Sequence, residues 1–364
     1  MNLAYSRSLY LHIPFCRKKC NYCDFVSYAN KENIIESYIN AVLSEVTSMA
    51  RQELYSLFIG GGTPSVLEAN SFKRLFEVIH HQFHFSTDAE ITLETNPESL
   101  TKNKLQLFRD LGINRLSIGL QATDDIHLKF LGRIHSYNQF KTAYDKAREI
   151  GFNNINIDVM FGIPGLSMDE WKKSLQEIVS LHPDHLSLYA LSIEEGTRFY
   201  SEQMVSDDDS AGDQYEYAVG FLKENGFNRY EISNFAYASK YSKHNSIYWD
   251  GGEYYGVGAG AAGYIDRKRT KNDPDVESYI AKITAGKSPV VEEEVIDQAK
   301  QTKEKIFLGL RKSKGVVCGE QENEIVQNRL LPFLDEGLLI YAPPVLRLSD
   351  KGMLLANQIW RALL

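Results

Sequence analysis

The stretch Tyr10-Leu11-His12-Ile13-Pro14-Phe15-Cys16-Arg17-Lys18-Lys19-Cys20-Asn21-Tyr22-Cys23-Asp24-Phe25 decides how this chain is read. It joins a short apolar run, 8–13, to three cysteines separated by three and then two residues. The chain has four cysteines in 364 residues, and the fourth, Cys318, lies far off in the tail. An iron–sulfur cluster is ordinarily held by four cysteine thiolates. Three close thiolates therefore imply a cluster with one iron left open, and an open coordination position is where metal chemistry takes place. Arg17, Lys18 and Lys19 flank the thiols and would favour their ionised form. The alternative is a zinc site completed by His12, but no second Cys/His pair follows.

Outward from this segment, β-rich runs recur at 8–13, 55–59, 90–95, 115–120, 154–160 and 185–191. Helix-like stretches fill the gaps at 33–51, 70–81, 102–111, 136–150 and 168–181, with a further one at 209–225. Gly112, Gly151 and Gly226 stand where helices should end in a left-handed residue. Strand and helix alternating in this way predict a parallel sheet covered by helices. Six such units could close partly as a barrel or open as a doubly wound sheet. In both, the functional site lies at the carboxyl ends of the strands.

Chemistry-bearing residues collect at those ends. Gly60-Gly61-Gly62-Thr63-Pro64 follows the second strand, Glu94-Thr95-Asn96-Pro97 ends the third, and Gln121 ends the fourth. Asp158 and Gly162-Ile163-Pro164-Gly165 mark the fifth strand, Tyr189-Ala190 the sixth. After about residue 230 the pattern changes. Residues 231–236 and 245–249 read as strands, followed by a glycine-rich turn over 256–260. The charged stretch 266–274 reads as a domain boundary. The tail reads as helices over 298–311 and 320–336, a hairpin over 338–348 around Pro343-Pro344, and an amphipathic helix over 353–364. That order is winged-helix-like. The predicted division is a core over 1–230, a β and glycine-rich extension over 231–270, and a small module over 271–364.

Net charge is −8, which argues against a nucleic-acid binder acting through bulk electrostatics and favours a packing role for the winged-helix-like part. Apolar residues at 43% and charged residues at 24% are those of a folded globular chain. No apolar stretch approaches the ~20 residues a membrane-spanning helix needs, and the start lacks the apolar region of a signal peptide. The expected location is cytoplasmic, where clustered cysteines read as metal ligands before disulfides.

The 10–25 segment resembles the cluster segment of the radical S-adenosylmethionine (SAM) superfamily. More narrowly, the chain is similar to the oxygen-independent coproporphyrinogen III oxidase-like family and its HemW-type haem chaperone branch. The likeness takes in 60–65, 94–97, 114–121, 131–133, 157–165, 186–197 and 230–263. It implies a partial (β/α)6 radical SAM barrel with a C-terminal β extension and a small helical, winged-helix-like domain. It also implies a [4Fe–4S] cluster on Cys16, Cys20 and Cys23, with SAM chelating the open iron. Tyr10, Tyr22, Gly61, Gly62, Thr63, Glu94, Gln121, Arg133, Asp158 and Ala190 map onto the family's SAM positions. Among them, Arg133 could clamp a carboxylate bidentately.

His244-Asn245-Ser246-Ile247-Tyr248-Trp249 is the other informative segment. Imidazole is a common axial ligand of haem iron, and Tyr248 and Trp249 offer apolar faces to a porphyrin. A buried, hydrogen-bonded histidine is the plainer alternative. The resemblance associates His244, Asn245, Tyr248 and Trp249 with haem. Two features set the chain apart from the oxidase: Asp24-Phe25 follows Cys23 where that enzyme has another residue and a fourth cysteine, and only fifteen residues precede Cys16. Ala262 stands where many HemW-type members carry histidine.

The expected function is a haem chaperone that passes haem to an acceptor protein, respiratory or otherwise, with no nucleic-acid partner. A transient membrane-protein contact and a dimer are compatible with that role. The rivals are SAM-dependent anaerobic oxidative decarboxylation of coproporphyrinogen III to protoporphyrinogen IX, and a zinc-stabilised binding protein. Gly258-Ala259-Gly260-Ala261-Ala262-Gly263 matches a dinucleotide fingerprint only by letter, because a charged turn follows it.

Overall fold

The computed structural model describes residues 7–363. At its centre are β1 (Ser8–Ile13), β2 (Gln52–Gly61), β3 (Phe83–Thr95), β4 (Arg115–Gln121), β5 (Ile155–Phe161) and β6 (His185–Ala190). The longer helices among them are α1 (Ile35–Ser48), α2 (Ala69–Gln82), α3 (Lys102–Asp110), α4 (Tyr137–Glu149) and α5 (Met168–Ser180), and α6 (Asp208–Glu224) follows β6. Each of the six strands pairs in parallel with the next in sequence. The order never reverses, so the arrangement is that of a barrel and not of a doubly wound sheet.

The barrel stays partial. β6 continues into the antiparallel β8 (Asn234–Tyr237) and then β7 (Phe227–Arg229). On the other side β1 pairs in parallel with β9 (Tyr254–Val257). β10 (Ala262–Ile265), β11 (Lys268–Asn272) and β12 (Val290–Val295) then follow as antiparallel neighbours. β4 and β5 are buried along almost their whole length because helices cover the outside and other groups fill the inside. Ser136 with Gln139 and Ser167 with Glu170 close capping boxes that start α4 and α5.

Three expectations need correction. Residues 245–249 are not a strand: they belong to α7 (Lys243–Trp249). β-branched and aromatic residues suggested extended chain, but Ser242 caps the Asn245 N–H and the buried Glu90 carboxylate accepts the N–H groups of Lys243 and His244. A tertiary cap thus outweighs local propensity. The charged stretch 266–274 carries β11, whose lysines and Arg269 face glutamates of β12 across the sheet edge. α8 (Val276–Thr284) then returns to the main core, where Tyr279 is buried against Tyr38. The expected helix over 320–336 is broken into Glu320–Ile325, a widened turn at Val326–Leu330, and Leu331–Asp335. Pro332, which lacks an N–H, sits just after the break.

A second hydrophobic cluster draws on residues 306–363, with Ile306, Leu310, Leu346, Leu348 and Ile359 fully buried. α9 (Gln298–Leu310), β13 (Val316–Val317), the hairpin of β14 (Leu339–Ala342) and β15 (Val345–Leu348), and α10 (Ala356–Leu363) build it. Among the described residues no helix is long and apolar enough to cross a membrane.

Candidate cluster and cofactor site

Cys16, Cys20 and Cys23 lie on the loop that leaves β1, and all three are half-buried. Phe15–Cys16 pairs with Tyr28–Ala29, which closes the loop at its base. Polar side chains from two other places, and Ser27 of the loop itself, reach the sulfurs. Thr63 Oγ1 donates to Cys16 Sγ at 3.5 Å, Arg133 Nη1 to Cys20 Sγ at 3.5 Å, and Ser27 Oγ lies 3.8 Å from Cys23 Sγ. A Cβ on Gly62 would fall 3.0 Å from Cys16 Sγ and 2.8 Å from the Phe15 carbonyl, so only glycine allows the loop this close to β2.

This donor set fits an iron–sulfur cluster, whose sulfurs are tuned by such hydrogen bonds. It does not fit zinc completed by His12, whose Nδ1 lies 2.9 Å from the Tyr10 hydroxyl and whose Nε2 lies 2.8 Å from the Val26 carbonyl. The flanking cations do less than expected. Arg17 and Lys19 are exposed and donate to the Glu98 and Phe25 carbonyls, and burial dominates, pushing the Cys16 thiol up to about 11 and raising that of Cys23. Metal coordination, which deprotonates a thiol outright, has to overcome that burial.

Next to the loop, Gly61 has φ +115° and donates its N–H to Glu94 Oε2 at 2.9 Å. A side chain at Gly61 would overlap the His12 ring. Burial, then the charge of Asp158, raises the Glu94 carboxyl to about 8. Asp158 is itself raised by burial and accepts from Asn156 Nδ2 at 2.8 Å and Ser117 Oγ at 3.0 Å. Arg133 Nη2 donates to the Gly119 carbonyl at 2.8 Å and also to Asn96, so with the Cys20 contact its fork braces the cluster loop.

Gln121 has a left-handed backbone, φ 73°, and a Cβ on Gly119 would meet its amide together with the side chains of Asn96 and Arg133. Gln121 also borders a separate cavity of about 140 Å³. Burial and the Cys20 thiol beside it raise the Tyr22 phenol, and Ala190 is exposed at the end of β6, opposite Phe161.

The downstream segment returns to this place. Tyr10, Glu94, Asp158, His244, Asn245 and Tyr248 share one inner cavity of about 210 Å³. His244 is 1% exposed, with Nδ1 2.8 Å from Ser56 Oγ and Nε2 2.7 Å from the Tyr248 hydroxyl. Burial, with Arg115 adding to it, lowers the imidazole to about 3, so the ring is neutral. Both nitrogens are therefore engaged inside the core. Trp249 points the other way: the Arg311 guanidinium covers its ring at 4.3 Å, and its Nε1 is buried without a partner among the described residues.

A cavity of about 1450 Å³ begins at Tyr10, Gly61 and Glu94 and runs past Trp249 to α9 and the segment 314–319. Its walls are aromatic where Tyr248 of α7 and Tyr254 and Tyr264 of the sheet line it. Phe25, the second residue after Cys23, is 63% exposed and lies along the same wall. Sequence reasoning missed Glu90, Arg115, Tyr254 and Arg269. The first two are ordinary strand residues, and nothing local distinguishes them. The cross-strand register Tyr254–Tyr264–Arg269 becomes visible only once the sheet is assembled.

Residues 10–178 match the radical SAM superfamily. Two curated relatives, both named heme chaperone HemW, from Bacillus subtilis (strain 168) and Lactococcus lactis subsp. lactis (strain IL1403), are each 35% identical over 98% of this chain. The matches span 99% and 97% of those proteins. The solved structure of Escherichia coli coproporphyrinogen III oxidase (HemN) superposes with a TM-score of 0.86 over 98% of this chain and 90% of that one, at 22% identity, which speaks for the fold. The three-cysteine loop, the partial barrel and full-length kinship together place this chain in the radical SAM superfamily and, within it, in the HemW family of haem chaperones.

Proposed function

We propose that this protein is a haem chaperone: it holds haem in the large aromatic cavity and hands it to an acceptor haem protein, respiratory or otherwise. The observation that carries the reading is that cavity, which is continuous from the SAM side of the barrel to the C-terminal helices and roomy enough for a tetrapyrrole.

Cys16, Cys20 and Cys23 hold a [4Fe–4S] cluster in this reading, and the cluster with SAM supplies one-electron chemistry when bound. The protein's residues orient and enclose. Gly61, Gly62 and Thr63 let backbone approach SAM, while Glu94, Gln121, Asp158, Tyr10, Tyr22 and Ala190 surround it. Arg133 anchors the cluster loop rather than clasping a carboxylate, since its fork is already engaged. Phe25 would touch both the loop and the cargo, linking the state of one to the placement of the other. His244 is assigned a positioning role, setting Tyr248 at the cavity wall. The protein acts in the cytoplasm; membrane-protein contact and dimerisation belong to the handover step.

The test is a haem titration of anaerobically reconstituted protein run beside an assay for decarboxylated porphyrinogen. Stoichiometric haem binding without decarboxylation supports the chaperone. SAM-dependent formation of protoporphyrinogen IX would replace it with the oxidase.

A further inference from the structure

Side chains able to ligate iron occur at several points of the large cavity, and the hydrogen-bond pattern sorts them. His12 has both ring nitrogens engaged, and His244 is engaged likewise and faces the inner cavity instead. The hydroxyls of Tyr10 and Tyr248 are the partners of those two imidazoles. Cys318 is a buried thiol raised further by the neighbouring Glu322 charge, which disfavours the thiolate needed for ligation.

Tyr254 stands apart. It opens β9, packs edge-on against Tyr248 at 4.5 Å, and lies directly opposite Tyr264, which lies opposite Arg269. Cross-strand partners share a face of the sheet, so the three side chains form one row along the cavity. Tyr255, the next residue, turns to the other face and meets Arg7 and Gln52. Arg269 is fixed in place by paired bonds to Glu304 at 3.0 and 2.9 Å and lies over the Tyr264 ring.

Resting on the haem reading above, we propose that Tyr254 is the axial ligand of ferric haem in this cavity, with Arg269 positioned to stabilise its phenolate. Tyrosinate is an established ligand of haem iron. Burial holds the phenol in its neutral form and the Glu304 carboxylate adds to it; Arg269 acts against both, as a cation beside a phenol does. The α7 histidine then shapes the pocket through Tyr248 and leaves the iron to its neighbour's neighbour.

The experiment titrates the reconstituted full chain with ferric haem and, separately, with metal-free protoporphyrin IX. Absorption and resonance Raman spectra read the ligand. Tyr254→Phe is expected to shift the Soret band, remove the phenolate–iron Raman bands and weaken ferric haem binding about tenfold or more. Its affinity for the metal-free porphyrin should stay within about twofold of the parent, which also reports an intact cavity. Cys318→Ser and Tyr264→Phe should keep the parent spectrum. An unchanged spectrum in Tyr254→Phe, or loss of the ligand signature in Cys318→Ser instead, overturns the assignment. A parent protein that binds neither haem nor porphyrin overturns the haem reading itself.

Discussion

The Nε2 of His244 and the hydroxyl of Tyr248 lie 2.7 Å apart, one helical turn from each other on α7. With Ser56 holding Nδ1, the imidazole is a fully bonded member of the core. His244→Ala should therefore destabilise the fold by about 2–4 kcal/mol, through a cavity and two stranded partners. Urea unfolding measures this. In the haem complex of the folded variant, affinity should fall while the Soret position stays that of the parent, the signature of a residue that positions others. A shifted Soret would restore His244 as a ligand.

Glu90 is a second buried anchor for the same helix. Its carboxylate accepts the N–H groups of Lys243 and His244 and lies 4.0 Å from buried Arg115. Glu90→Ala removes the cap and leaves Arg115 buried without that partner, at about 3 kcal/mol or more. Hydrogen exchange should show α7 losing protection ahead of β4 and β5. Uniform loss across the barrel would contradict a local anchoring role.

At the cluster, Gly62→Ala drives a methyl against Cys16 Sγ and the Phe15 carbonyl. Iron and sulfide bound after anaerobic reconstitution should drop to below about half of the parent. Gly212→Ala, in α6 where an added methyl meets open space, should leave cluster content alone and raise stability by about 0.5–1 kcal/mol.

Thr63→Val tests the hydrogen bond to Cys16 Sγ. Donors to cluster sulfur favour the more negative, reduced state, so removing one should move the midpoint potential to a more negative value. Spectroelectrochemical titration reads the direction, and a positive shift would argue that Thr63 does not serve the cluster.

The inner cavity predicts opposite pH effects from two groups. Glu94, raised to about 8, keeps a proton in the folded state that the unfolded chain releases near the ordinary carboxyl value. Its contribution is present below that value and is lost as pH rises through about 8. Glu94→Gln should thus gain stability relative to the parent as pH goes from about 5 to about 9. His244, lowered to about 3, contributes above the ordinary imidazole value and loses that contribution as pH falls toward about 3. Urea midpoints across the pH range check both slopes.

Much of this was legible in the sequence. The three-cysteine segment and its context pointed to a cluster, and strand–helix alternation pointed to a parallel α/β sheet with its candidate groups at strand ends, because both signals are local. What the sequence could not decide was non-local. The unreversed strand order chose a barrel over a doubly wound sheet. Glu90, more than a hundred and fifty residues from Lys243, turned an apparent strand into a helix. Antiparallel pairing of β9, β10 and β11 lined up Tyr254, Tyr264 and Arg269 from separate places in the chain. Burial outweighed Lys19 at Cys23, and it neutralised His244. Propensity and spacing act over a few residues, whereas desolvation and side-chain partnership exist only once the chain has closed on itself.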